Sequence, residues 1–80
     1  MTHTIYSVWT STSFVDTLVL VSEDAGPAKF IGHAEGNEAF IAAGAIEAVT
    51  GQECEVVSIT KDRFVEKFGV DVANSVYMKV

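Results

Sequence analysis

From residue 4 to residue 12 the chain reads Thr-Ile-Tyr-Ser-Val-Trp-Thr-Ser-Thr, with Ile5, Ser7 and Trp9 alternating against Tyr6, Val8 and Thr10. A period of two in β-branched and aromatic residues predicts a strand. Phe14 to Ser22 contains Leu18-Val19-Leu20-Val21, an unbroken apolar run of strand length. Such a run predicts either a central strand covered on both faces or a strand lying mid-sheet. Glu23-Asp24-Ala25-Gly26-Pro27 then gathers turn formers, and alternation resumes from Ala28 to Glu35, with Phe30 facing away from Lys29, Ile31 and His33. The second and third strands should therefore form a hairpin.

Gly36-Asn37 closes the third strand and opens a helix, since Asn37 can cap free amides and Glu38 stands where the helix dipole favours an anion. The helix is expected from Glu38 to Thr50, with Gly51 just past its end. Its interior is rich in alanine: Ala39, Ala42, Ala43, Ala45 and Ala48, with Phe40, Ile41, Ile46 and Val49. At roughly 100° per residue, Ile41, Ala42, Ala45, Ile46 and Val49 share one arc, expected to face the sheet, and Phe40, Ala43, Gly44 and Glu47 share the other. On that reading, Ala45→Leu would overpack the core at a cost of about 1–3 kcal/mol.

Glu53 to Ile59 predicts a fourth strand, with Cys54, Val56 and Ser58 on one face and Glu55, Val57 and Ile59 on the other. Thr60 is placed to cap a short second helix over Lys61 to Phe68, in which Phe64 and Phe68 lie one turn apart and Gly69 is the stop. Val76, Met78 and Val80 alternate with Tyr77 and Lys79, predicting a last strand. The order β-β-β-α-β-α-β implies a single α+β domain over residues 1–80, its sheet mainly antiparallel and the longer Ala-rich helix packed on one face.

Composition narrows the function. Hydrophobic residues are 49% and charged residues 20% of the 80, an ordinary globular mix. The formal charge of −6 argues against a protein that tracks nucleic-acid phosphates or an anionic membrane, and favours a protein partner with a basic surface. Charge position says more. Residues 1–60 hold eight acids and one base, Lys29, a balance of −7; residues 61–80 hold three acids and four bases, a balance of +1. The acidity belongs to the hairpin and the first helix.

A single cysteine, Cys54, forbids an internal disulfide and any multi-cysteine metal site, which fits a reducing compartment such as the cytoplasm. The first residues lack the basic and apolar pattern of a signal peptide, and no run approaches a membrane span. His33-Ala34-Glu35 has the H-x-E form of zinc deaminases, but the paired cysteines of that signature are missing, so surface positions on the third strand are the plainer reading. Cys54 has no base beside it in sequence, the serines lack a nucleophile elbow, and the six glycines match no phosphate loop. His3 is expected in a frayed terminus. No catalytic set, cofactor or metal is predicted.

What remains are surfaces. The acids Glu23, Asp24, Glu35, Glu38, Glu47, Glu53 and Glu55 can present one acidic face to a basic partner, with Phe40 as an apolar anchor if it is not core. Of Tyr6 and Trp9, on opposite faces of the first strand, at least one should lie near the surface, and Trp9 is the preferred interface anchor. If the first strand lies at an edge, a partner could add a strand there. The profile fits a non-enzymatic inhibitor of a nucleic-acid-binding host complex, of the anti-defence, anti-CRISPR or polymerase-blocking kind that phages and mobile elements encode, working in the host cytoplasm. The alternative is an oligomer, such as a homodimer, that sequesters a nucleotide signal and meets its phosphates with Lys61, Arg63 or Lys67.

Overall fold

A computed structural model describes residues 3–22, 28–35 and 38–76 of the chain. The elements are β1 (His3–Trp9), β2 (Asp16–Ser22), β3 (Lys29–Ala34), α1 (Glu38–Thr50), β4 (Cys54–Thr60), α2 (Lys61–Phe68) and α3 (Val70–Ser75). The four strands form one sheet in the order β3-β2-β1-β4. β1 pairs antiparallel with β2, and β2 with β3, but β1 and β4 run parallel. Parallel neighbours need a long crossover, and α1 carries the chain from β3 at one edge to β4 at the other. The fold is α+β as the pattern predicts, and β1 is central rather than an edge, so strand addition there is closed off.

Helices cover both sides of the sheet. Ile5, Leu18, Ala34 and Cys54 form one buried cluster with Ala39 and Ala43 of α1. Tyr6, Val8 and Val19 form the other with Phe64 of α2, Ala73 of α3 and Val76. The centre of β1 is consequently buried on both faces, from Ile5 to Val8. Each large apolar side chain so buried stabilises the fold by about 1.5–3 kcal/mol. Ser7, the buried polar residue of that strand, donates its hydroxyl hydrogen to Asp16 Oδ2 at 2.7 Å, which removes the desolvation penalty. Under α2 the rings of Tyr6, Phe64 and Phe68 interlock, with centroids 4.7 to 6.1 Å apart.

The ends of α2 follow the sequence logic. Thr60 Oγ1 accepts the Arg63 amide at 3.2 Å, and Gly69, at φ 92°, ends the helix with its amide on the Val65 carbonyl at 2.7 Å. A side chain at Gly69 would strain that backbone.

Four expectations are corrected. Ala39, Ala42, Ala43 and Ile46 face the sheet, whereas Ile41 is 71% and Val49 86% exposed, and Ala45 is exposed too. The small side chains let α1 lie close over Ile5 and Leu18, while Phe40, Ile41 and Val49 turn outward. Between Leu18↔Gly32 and Val19↔Phe30 the register slips by one, leaving Ile31 without a partner. That bulge puts Phe30 and His33 on the same face, ring centroids 5.1 Å apart. His3 is not frayed: it pairs in β1, its amide bonds Glu53 O at 2.9 Å and its Nδ1 lies 2.8 Å from Ser22 Oγ. Finally, Val76 closes α3 instead of opening a strand, because its burial is reached by a helical turn that also buries Ala73. The rest of the expected last strand, the turn Glu23 to Pro27 and the cap Asn37 lie outside the described residues.

Candidate functional site

α1 presents its core-facing residues on one arc, so the opposite side can be read directly from its sequence. Ile41, Gly44 and Ala48 lie along the middle of the outward side, with Phe40 and Glu47 on one flank and Glu38, Ala45 and Val49 on the other. Phe40 is 63% exposed, which settles it as surface rather than core. The helix has no lysine or arginine, so its own charges, Glu38 and Glu47, are both carboxylates. A helix apolar on nearly all sides is normally buried on all sides. Here one side has no cover among the described residues.

The acids expected to make one face are divided by the fold. Glu35 and Glu38 stand at the start of α1, while Glu47 stands near its end, about 14 Å along the axis from Glu38. Glu53 and Glu55 are exposed at the entry to β4, where Thr4 Oγ1 donates to Glu55 Oε1 at 3.3 Å. Glu23 and Asp24 lie outside the described residues. Carboxylates therefore sit at both ends of the apolar helix face.

The chemical candidates are set apart from one another. His33 and Glu35 are exposed on either side of buried Ala34, with His33 Nδ1 only 3.5 Å from Thr17 Oγ1. Among the described residues no group of three or more His, Cys, Asp or Glu side chains could hold a metal ion. Cys54 is buried beneath α1, and burial, then the charges of Glu47 and Glu55, pushes its thiol above the ordinary value. That is the reverse of what a thiolate nucleophile needs. Among the described residues no helix is long and apolar enough to cross a membrane.

A second surface was not legible in sequence. The parallel register sets Trp9 beside Thr60, at the junction of β4 and α2. Trp9, 41% exposed, borders an open groove of about 560 Å³ walled by Val57, Ile59, Arg63, Glu66 and Lys67. A smaller groove of about 300 Å³ lies between Trp9 and the start of α2 at Lys61 and Asp62. These side chains lie 48 to 58 positions beyond Trp9 in the chain, and strand pairing brings them to it.

No protein-family model, curated protein or solved structure matches this chain.

Proposed function

We propose that this chain is a non-enzymatic protein-binding module that docks through the outer face of α1 onto a basic, nucleic-acid-handling protein and blocks it. The observation that carries the reading is the pairing, on one helix, of exposed Phe40, Ile41 and Val49 with flanking charges that are all acidic. An apolar patch rimmed by charge is the usual form of a protein interaction site, the patch supplying affinity and the rim supplying orientation. A rim of one sign selects a partner surface of the other, and a groove that normally binds phosphates has that sign. The inhibitory role, the phage or mobile-element setting and the host cytoplasm as place of action belong to this proposal. Glu35, Glu38 and Glu47 orient the complex, and Phe40 and Ile41 anchor it.

The test is affinity capture from the native host at low and high salt, using the natural chain and a variant carrying Glu35→Lys, Glu38→Lys and Glu47→Lys. The natural chain should retain a nucleic-acid-binding complex that salt releases, and the variant should lose it. Equal capture by both chains, or capture indifferent to salt, would overturn the reading.

A further inference from the structure

The groove beside Trp9 lies along β4 and under α2, away from the face of α1 and independent of the docking role. Its chemistry differs from that of the rest of the molecule. The first sixty residues carry a balance of −7, yet α2 holds Lys61, Arg63 and Lys67 within seven positions. Arg63 and Lys67 are one turn apart and both line the groove. Neither makes an ion pair among the described residues. Lys67 is held in place by aromatic faces, with Nζ 5.3 Å from the centroid of Tyr6 and 5.8 Å from that of Phe68. Such contacts fix the chain without neutralising its charge.

Opposite these cations lie an exposed indole and the half-buried side chains of Val57 and Ile59. Glu66 adds one acceptor on the same wall. A groove of this volume falls within the usual range of small-ligand sites, roughly 300–1,000 Å³. Its features specify three parts of a ligand: an anion for Arg63 and Lys67, a flat ring for Trp9, and a hydroxyl or amine to donate to Glu66. We infer that the groove between β4 and α2 is a binding site for a mononucleotide-class ligand, its phosphate held by Arg63 and Lys67 and its base stacked on Trp9. Stacking on an aromatic side chain contributes to all four bases, so the site tells nucleotide from free phosphate more than one base from another.

Trp9 is the only tryptophan in the chain, so its fluorescence reports on the two grooves it borders, and substitutions at Arg63 and Lys67, which line only the larger one, assign the signal to it. The intact protein is titrated with AMP, GMP, CMP and UMP, and separately with adenosine and with inorganic phosphate, while calorimetry measures the heat. At least one nucleotide should change the emission saturably, and adenosine and phosphate should each bind about tenfold or more weakly, because each lacks one half of the contacts. In the Arg63→Ala, Lys67→Ala double variant the nucleotide affinity should fall by about tenfold or more. Circular dichroism should be unchanged, since both side chains are exposed. A Trp9→Phe variant, followed by calorimetry, should still bind, because a ring is kept. The inference is overturned if no nucleotide binds, if phosphate alone binds as tightly, or if the double variant binds as well as the natural chain.

Discussion

The thiol of Cys54 sits between β4 and α1, and its raised pKa comes first from burial and then from the carboxylates of Glu47 and Glu55. The sign of its effect on stability follows directly. The folded protein keeps the proton after the unfolded chain has lost it, so stability is unaffected below the ordinary value of 9.0 and falls as pH rises through and beyond it. Urea unfolding from neutral pH to about pH 10 should show an alkaline loss in the natural chain that is smaller in Cys54→Ala. Equal losses in the two proteins would remove Cys54 as the cause. Glu55 is the next residue in the chain, whereas Glu47 belongs to α1 and is brought to the thiol only by the packing of that helix on β4.

α1 is the element whose limits were legible and whose orientation was not. Glu38 at its start and Gly51 beyond its end mark the boundaries, and the Gly51 amide bonds Glu47 O at 2.8 Å. Nothing in a helix that is apolar on nearly every side says which arc meets the sheet. A choice by bulk puts Ile41 and Val49 inward, but close approach to Ile5 and Leu18 selects Ala39 and Ala43 instead. The two alanines give opposite outcomes. Ala43→Leu should lower stability by about 1–3 kcal/mol, whereas Ala45→Leu should change it by no more than about 0.5 kcal/mol. Thermal melts of the two variants decide between this orientation and the reverse.

At the scale of the molecule, two helical layers bury the sheet while leaving Phe40, Ile41 and Val49 outside. If that side is a docking face and not part of an obligate dimer, the isolated protein should unfold at a midpoint independent of its concentration. Ile41→Glu together with Val49→Glu should then leave the midpoint within about 0.5 kcal/mol per site of the natural value. A midpoint that rises with concentration, and that the double variant lowers, would show a second copy covering α1. The molecule also separates its charges, with carboxylates around α1 and the cations Lys61, Arg63 and Lys67 along α2. Two surfaces of opposite chemistry on so small a chain are consistent with two different binding events.

Periodicity, capping residues and turn formers determined the elements from β1 to α2, because those signals are local: alternation of side chains, a threonine before a helix, a glycine after one. The same locality determined that Leu18 and Val19 would be buried on opposite faces of one strand. What the sequence did not contain was the relation between distant elements. The bulge at Ile31, the inward arc of α1, the helical end at Val76 and the meeting of Trp9 with Arg63 and Lys67 each depend on packing or pairing between parts far apart in the chain. Only the tertiary structure fixes such contacts, since the free energy that selects them is that of burying two surfaces together.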